Sequence, residues 1–476
     1  MMAQRKTKRR LTVNALGSRR IGTLDRSKPP KAGIQNEVTF PKYVEKKYSD
    51  GFKAFTVENH ELPIVTMGLV VKGGSTFDGA CPGLASVTSE LITKGTKKRS
   101  ATDIAEEIDF VGASLSTNAS WDASQVFVSV LKTHLDTAVD ILHDIVTSPT
   151  FPQDEIDRIK TQRLATIQQM KADAGYLADT RFASAVFGNH PYGNPYGGTE
   201  KSISAIARKD LIAFHANFYV PGNSFIVFAG DITSKETEKY LKKYFLKWEG
   251  KKKDLSGPLS LTTNHKEKVV TLVDKPAAVQ SALRIGGVGI TRDNPDYIKA
   301  MVTNTLFGGY FSSRINQNLR EAHGYTYGGR SAFDARLLPG FFEVSADVRN
   351  EVTSETIDEV FKELNRIRDT MPSKDEIEMV KNYLIGLFPI QLETPQQVAA
   401  RVVTIELYHL PKNYYNRYRE NIRKLTAKDI QSTARRYIDP EKFSIVLSGN
   451  ADEIKSKLLK FGRVEIVDPE GNKITK

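Results

Sequence analysis

The segment LFGGYFSSRINQNLREAHGYTYG, residues 306–328, contains a glycine pair, an amphipathic stretch and two tyrosines in close succession. The pair Gly308–Gly309 lets the backbone turn tightly or approach another part of the chain closely. Phe311, Ile315 and Leu319 follow at intervals of four residues, which places them on one side of a helix. This spacing predicts a helix with one apolar face directly after the glycine pair.

The end of the same segment carries three side chains that suit peptide recognition. Arg320 closes the apolar face of the predicted helix, and Gly324 predicts the end of that helix. Tyr325 and Tyr327 are two residues apart in a β-prone run, so we expect them to point to the same side of a strand. The sequence therefore predicts one guanidinium and two phenols at a helix-to-strand junction, where they would hold a peptide carbonyl and donate to an oxyanion.

Length and composition bound the class of protein. A chain of 476 residues is longer than one hydrophobic core usually supports, so two or more domains are expected. The hydrophobic content of 40% and the charged content of 26% are typical of a soluble globular protein. The sequence has no apolar run of about 18 residues, so no membrane insertion is expected. Cys81 is the only cysteine, which excludes intramolecular disulfides and cysteine-based zinc sites.

Most of the net charge of +12 comes from the N-terminus. Residues 1–31 hold ten Lys and Arg and a single acid, Asp25. This composition predicts a disordered basic tail over residues 1–35, although it is also typical of a cleavable organellar presequence. The tail has no interleaved aromatic residues and the body is nearly neutral, so no nucleic-acid partner is expected. We expect a cytoplasmic protein, or one of the mitochondrial matrix or periplasm if the tail is a targeting segment.

Two pairs of segments indicate an internal duplication. FPQDEI at residues 151–156 is echoed by MPSKDEI at residues 371–377, at an offset of 221. FYVPGNSFIVFAG at residues 218–230 is echoed by RYIDPEKFSIVLSG at residues 436–449, at an offset of 218. Because two widely separated matches share nearly one offset, the chain is predicted to consist of two homologous halves.

The duplication divides the chain into two domains. A linker rich in Lys, Gly, Pro and Asn, residues 249–268, separates an N-terminal half, residues 36–248, from a C-terminal half, residues 269–476. Each half combines strand-like and helix-like segments, which predicts an α+β fold. We expect mostly antiparallel sheets with helices on one face.

The segment at residues 306–328 resembles the second half of the pitrilysin/insulinase-like zinc peptidase family. That family includes the mitochondrial processing peptidase and its bacterial two-subunit relatives. The resemblance rests on the glycine pair, Ser-Ser-Arg, Asn-Leu-Arg and Gly-Tyr-Thr-Tyr in this order, and it extends by element order over nearly all of the chain beyond the basic tail. It implies two homologous domains that form one side of a clamshell.

The resemblance also locates a zinc site whose ligands are missing. Family members that cut peptides bind zinc through His-x-x-Glu-His on one helix and a Glu on a later helix. Alignment on residues 94–96 places Ser86 and Glu90 at the two His positions, Ser89 at the catalytic Glu and Gln169 at the distal Glu. Hydroxyls are poor zinc ligands, glutamine is uncharged, and one carboxylate does not replace three ligands. We therefore expect no metal on this chain; the alternative is a site rebuilt from scattered side chains.

The C-terminal half keeps a second family feature. In two-subunit relatives, the inactive-looking subunit supplies an Arg and a Tyr to the zinc centre of its partner. The resemblance places the Arg at Arg320 and the Tyr at Tyr325 or Tyr327, and it identifies Gly308 and Gly309 with the glycine-rich loop. The alternative is structural: Arg320 pairs with a surface carboxylate and the tyrosines fill the core.

These features predict a non-catalytic, substrate-binding subunit of a heterodimeric zinc endopeptidase that is inactive alone. The expected partners are a homologous zinc-bearing subunit and an unfolded peptide, held by strand addition to a sheet edge. Two alternatives remain at this point. One is a structural subunit that resembles the core proteins of the respiratory cytochrome complex. The other is a self-sufficient metallopeptidase that works as a homodimer.

Overall fold

The computed structural model describes residues 37–48, 51–255 and 269–475, and the described residues from 39 onward belong to one compact unit. The predicted basic tail, residues 1–35, lies outside the described residues, as do residues 256–268 of the predicted linker. Among the described helices, none is long and apolar enough to cross a membrane.

Twelve strands and sixteen α-helices occur in the described residues. The strands are β1 (Val44–Lys47), β2 (Lys53–Glu58), β3 (Ile64–Val71), β4 (Ser114–Ala119), β5 (Ser124–Leu131), β6 (Ser224–Gly230), β7 (Val269–Asp274), β8 (Gln280–Val288), β9 (Gly329–Asp334), β10 (Phe341–Arg349), β11 (Ser444–Gly449) and β12 (Arg463–Val467). The helices are α1 (Leu84–Leu91), α2 (Ala101–Phe110), α3 (Leu135–Thr147), α4 (Gln153–Lys171), α5 (Ala174–Phe187), α6 (Glu200–Ala205), α7 (Arg208–Phe218), α8 (Ser234–Tyr240), α9 (Tyr297–Asn304), α10 (Arg314–Asn316), α11 (Thr353–Asp369), α12 (Lys374–Ile390), α13 (Pro395–Leu407), α14 (Tyr414–Lys424), α15 (Ala427–Tyr437) and α16 (Ala451–Leu458).

The strands form two six-stranded sheets with matching topology. The first sheet has the order β1-β2-β6-β3-β5-β4, and the second has the order β12-β7-β11-β8-β10-β9. From the second position onward, each strand of one sheet corresponds to the strand at the same place in the other. Seven of the ten pairings are antiparallel, and β2–β6, β7–β11 and β7–β12 are parallel. The structure therefore confirms an α+β fold with two homologous domains.

Each sheet is covered on both faces, and the second face is covered by a helix from the other half. The helices of each half pack on one face of its own sheet, as predicted. On the other face, α13 of the C-terminal half packs against β3 and β6, and α5 of the N-terminal half packs against β8 and β11. The strand β6 shows why: Ile226 and Phe228 enter one core, whereas Phe225 and Val227 enter the other. A strand that is apolar on both faces needs cover on both.

The start of α2 illustrates how local sequence defines an element. The Ser100 hydroxyl accepts a hydrogen bond from the Asp103 backbone N–H, and the Asp103 carboxylate accepts one from the Ser100 backbone N–H. This reciprocal capping satisfies two of the backbone donors that a helix leaves unpaired at its N-terminus. A helix start of this kind can be recognised from the sequence, because the cap needs only residues that are neighbours along the chain.

Candidate functional site

The degenerate zinc positions lie on α1, which is anchored at its N-terminus by a buried carboxylate. Asp78 accepts backbone hydrogen bonds from Gly83 at 2.6 Å and from Ala85 at 2.7 Å. Burial nevertheless raises the pKa of Asp78 to about 7. Gly83 begins the helix with a φ of +95°, a left-handed conformation that favours glycine. The carboxylate and the turn together fix the direction in which α1 leaves the first sheet.

Two of the predicted positions, Ser86 and Glu90, contact a single arginine on α4. Arg163 Nη1 donates to Ser86 Oγ at 3.1 Å, and Nη2 donates to the Ser86 carbonyl at 3.1 Å. Arg163 Nε donates to Glu90 Oε2 at 2.8 Å. A guanidinium therefore supplies the positive charge between the two helices at the point where zinc ligands are expected. Sequence reasoning missed Arg163, because nothing local connects it to a partner 73 residues away.

The other two positions do not face this cluster. Ser89 is buried and its hydroxyl donates to the Asn118 carbonyl of β4 at 3.0 Å, so it holds α1 against the edge of the first sheet. Gln169 is exposed on α4 and does not line the cavity beside the cluster. The structure therefore does not bring Gln169 together with Ser86 and Glu90, and its placement at the third-ligand position stays a prediction. Successive residues of an α-helix are rotated by about 100°, so residues six apart are rotated by about 600°, or about 240° beyond one full turn. Arg163 and Gln169 therefore lie on different faces of α4.

The side chains at this site do not fit a catalytic zinc ion. The described part of the chain contains no group of three or more His, Cys, Asp or Glu residues that is arranged to hold a metal. At the expected position, Glu90 is the single anionic donor and it already pairs with Arg163. Hydroxyl oxygens and a guanidinium do not replace imidazole and carboxylate ligands.

The segment that follows the glycine pair is helical, but its helix begins later than the spacing predicts. Ile315 and Leu319 are fully buried, whereas Phe311 lies in the preceding turn and is 67% exposed. The helix starts with α10 and continues through Gln317–Ala322 in wider, π-helical turns. The prediction that Phe311 shares the apolar face is therefore wrong, because residues 310–313, between Gly309 and Arg314, are not helical.

The two tyrosines lie in different environments. The strand β9 begins at Gly329, so Tyr325 and Tyr327 belong to an irregular connection and not to a strand. Tyr325 is half-buried against the core of the C-terminal half, and its backbone N–H donates to the Leu319 carbonyl at 2.8 Å. Tyr327 is 92% exposed. The prediction that both phenols point to one side is wrong, since the alternation of a strand is absent here.

Arg320 and Tyr327 line one cavity of about 440 Å³ together with Gly308 and Gly309. Tyr325 does not line it. A further guanidinium, that of Arg330 on β9, belongs to the same wall and was missed because the sequence pattern ended at the tyrosines.

The Arg320 guanidinium lies over the Phe311 ring, 4.6 Å from its centroid. The Arg320 Nε is 3.6 Å from Glu321 Oε1, and the Arg320 side chain is 36% exposed. Such an exposed ion pair is weak, so the guanidinium is free to bind a second group.

Close packing explains why the first residue of the glycine pair, Gly308, has no side chain. A Cβ on Gly308 would lie 2.4 Å from Ser331 Oγ and 2.7 Å from the Ser331 backbone nitrogen. The segment Thr305–Gly309 therefore approaches β9 as closely as a chain without a side chain can. Asn304 completes the contact, because its Nδ2 donates to the Ser331 carbonyl at 3.0 Å. This close approach places the glycine pair beside Arg330 in the cavity wall.

Comparisons with known proteins agree with this architecture. The family model described as Insulinase (Peptidase family M16) matches residues 53–200, and the model described as Peptidase M16 inactive domain matches residues 205–384. A crystal structure of a peptidase M16 inactive domain from Pseudomonas fluorescens is 26% identical with a TM-score of 0.81; the match covers 86% of this chain and 98% of that one. The chain therefore belongs to peptidase family M16, the insulinase family.

Curated relatives carry two kinds of name. A protein of Helicobacter pylori named non-peptidase homolog YmxG is 26% identical over 407 residues, which cover 84% of this chain and 92% of the relative. A protein of Bacillus subtilis named uncharacterized zinc protease YmxG is 27% identical over 366 residues, which cover 75% of this chain and 86% of the relative. The similarity thus extends both to a protein named as a non-peptidase and to one named as a zinc protease.

Proposed function

We propose that this chain is the non-catalytic, substrate-binding subunit of a heterodimeric zinc-dependent endopeptidase of family M16. The observation that carries the proposal is the contrast between the two halves. In the N-terminal half, Arg163 binds Ser86 and pairs with Glu90, the two residues that align with the family's histidine ligands. In the C-terminal half, Arg320 and Tyr327 line an open cavity beside the glycine pair. A homologous partner subunit would bring the zinc ion.

The cavity supports separate roles for its two polar side chains. The planar guanidinium of Arg320 suits a peptide carbonyl, to which it donates through two N–H groups. The phenol of Tyr327 would donate to the oxyanion that develops when the scissile carbonyl is attacked. Of the two candidate tyrosines, Tyr327 is favoured, because Tyr325 is half-buried and does not line the cavity.

The test is peptide cleavage by the reconstituted heterodimer. The zinc-bearing family M16 subunit from the same organism would be purified with this chain, and turnover of a quenched fluorescent peptide would be measured. We expect Arg320→Ala and Tyr327→Phe each to lower kcat about 100-fold, the usual effect of removing one oxyanion or carbonyl donor. Tyr325→Phe should leave turnover close to that of the wild type.

The matched control is Arg158→Ala. Arg158 is a half-exposed arginine that pairs with Glu155 within α4 and does not line the Arg320 cavity. This variant should cleave the peptide at the wild-type rate. Unchanged turnover in the Arg320→Ala heterodimer would overturn the role of Arg320. A stable heterodimer that cleaves no peptide would favour a structural subunit, and stoichiometric zinc on the isolated chain would favour a homodimeric peptidase.

A further inference from the structure

A cavity of about 850 Å³ lies between the two halves, beside the Arg163–Glu90 pair. The helices α4 and α5 of the N-terminal half and the strands β9 and β10 of the C-terminal half contribute to its walls. Its volume falls within the range of about 300–1,000 Å³ that is usual for ligand sites. It is distinct from the cavity at Arg320, with which it shares no lining residue.

Much of the wall is apolar and held in place by its own contacts. Trp121, Met170, Tyr196 and Phe341 line the cavity. The rings of Trp121 and Tyr196 meet edge to face with centroids 5.0 Å apart, and the indole N–H of Trp121 donates to the Asn194 carbonyl at 3.2 Å. Such a wall is preformed for an apolar or aromatic body. The Arg336 guanidinium already lies over the Trp121 ring, 3.4 Å from its centroid, so attraction of a second cation has to come from carboxylates.

The opposite part of the cavity carries carboxylates. Asp179 and Glu343 both face Arg284, whose Nε lies 2.5 Å from Asp179 Oδ1 and 3.7 Å from Glu343 Oε1. Asp334 accepts from Arg336 Nε at 2.9 Å. Two guanidinium groups thus serve three lining carboxylates, which leaves one negative charge. Glu343 has the longest of these ion pairs and is only 15% exposed, so it is the least compensated of the three carboxylates when it is ionised.

The arrangement of the lining carboxylates indicates which kind of cation the cavity would bind. These carboxylates are not arranged as a metal-binding group within the described residues. Glu90 and Arg163, which also line the cavity, neutralise each other. A buried carboxylate next to aromatic side chains suits an organic cation, because burial strengthens its charge interaction and the rings accommodate its carbon skeleton.

We propose that this cavity is a binding site for an organic cation, with a protonated amine beside Glu343 and an apolar body against Trp121, Tyr196 and Phe341. The amine can belong to a free arylalkylamine or to a lysine side chain of an extended peptide. The site resides wholly on this chain, so the proposal does not depend on a partner subunit or on peptide cleavage.

Isothermal titration of the full chain at pH 8 tests the proposal. One arm uses 4-phenylbutylamine, with 4-phenylbutanol as its uncharged match. The other arm uses a capped pentapeptide with a central lysine, with norleucine in its place as the match. We expect at least one amine to bind at least about tenfold more tightly than its uncharged match. Binding in the first arm alone identifies a small-molecule site, and binding in the second alone identifies a peptide site.

Two variants locate the binding. Glu343→Gln keeps the side-chain shape and should weaken binding of the amine at least about tenfold. Ala183→Trp should block the cavity, since Ala183 lines it. The matched control is Asp347→Asn, on the same strand, whose carboxylate lies 3.8 Å from Arg284 but does not line the cavity; it should bind as the wild type does. Equal binding of amines and uncharged matches, or of wild type and both variants, would overturn the proposal.

Discussion

At the scale of single residues, one guanidinium joins the two helices that carry the aligned zinc positions. Arg163 donates to both Ser86 and Glu90, so α1 and α4 remain tied at the place where the resemblance expects a metal. The carboxylate of Glu90 is 35% exposed and Arg163 is 20% exposed. Solvent therefore screens the pair, and its net stabilisation is on the order of 1 kcal/mol. The pair connects α1 and α4 but contributes little to stability.

This geometry predicts which substitutions create a zinc site. Because Arg163 reaches both α1 positions, the triple variant Ser86→His, Glu90→His, Arg163→Glu brings two imidazoles and a carboxylate to one point. We expect it to bind zinc at one equivalent per chain, measured by metal analysis after dialysis against zinc. The matched control replaces the third change with Gln169→Glu and should bind little zinc. Equal zinc content in the two triple variants would show that Arg163 does not occupy the third-ligand position.

The buried Glu343 predicts a pH dependence of stability. Burial raises its pKa to about 7 from 4.5, with Arg284 opposing the rise and Asp179 and Asp334 adding to it. The folded state therefore holds a proton on Glu343 between about pH 4.5 and pH 7 that the unfolded state has lost. The free energy of unfolding should fall as pH rises through this window, by up to about 3 kcal/mol from this group.

Urea unfolding at several pH values measures this effect. Glu343→Gln should match the wild type near pH 4.5 and exceed its stability at pH 8, because the variant has no charge to bury. Asp347→Asn, on the same strand but exposed, should keep the wild-type slope. A Glu343→Gln variant that is less stable than the wild type at pH 8 would contradict this account.

At the scale of elements, the glycine pair and β9 form one packed unit. Gly308 lies against the backbone of Ser331, and Asn304 binds the Ser331 carbonyl and hydroxyl. The contact satisfies part of the outer edge of β9, which is an edge strand of the second sheet. Peptide addition along the whole of β9 is therefore disfavoured near Ser331. This packing positions the wall that Gly308 and Ser331 form in the cavity lined by Arg320.

Substitution of the first glycine tests the packing. In Gly308→Ala the new methyl group would meet backbone atoms of Ser331, so Thr305–Gly309 must move away from β9. We expect a loss of about 1–3 kcal/mol in the free energy of unfolding. In Gly386→Ala, on α12, the new methyl group meets open space, and we expect a gain of up to about 1 kcal/mol. Urea unfolding compares the two; a neutral Gly308→Ala would refute the close-packing argument.

At the scale of the whole molecule, the two halves cover each other. The helix α13 belongs to the C-terminal half, yet it packs on the first sheet. The helix α5 belongs to the N-terminal half, yet it packs on the second sheet. Each sheet therefore needs residues from both halves to bury its second face. We expect the halves to unfold in one cooperative transition.

Tryptophan fluorescence can measure this coupling, because both tryptophans, Trp121 and Trp248, lie in the N-terminal half. Val402 of α13 is fully buried in the core shared with the first sheet. Val402→Ala should lower the free energy of unfolding by about 2 kcal/mol and shift the fluorescence and circular dichroism midpoints together. Thr404→Ala, two residues along the same helix, should leave the fluorescence and circular dichroism midpoints nearly unchanged. A fluorescence midpoint that Val402→Ala does not move would show that the halves unfold independently.

Local and repeated patterns of the sequence were enough for much of the fold. The capping residues Ser100 and Asp103 are close neighbours that mark the start of α2. The repeated segments at residues 218–230 and 436–449 predicted two like domains. These signals involve neighbours in sequence or copies of one pattern, so they can be recognised without a structure. The same is true of the missing imidazoles, which exclude a zinc ligand set by residue type alone.

Only the tertiary structure decided which side chains meet. The sequence determined that Arg320 and two tyrosines lie close along the chain, but the start of β9 at Gly329 left Tyr325 half-buried and Tyr327 exposed. Arg163 and Glu90 meet because two helices pack side by side, and the organic-cation cavity exists because residues of both halves enclose it. Such contacts depend on the relative rotation and distance of whole elements, quantities that no local pattern encodes.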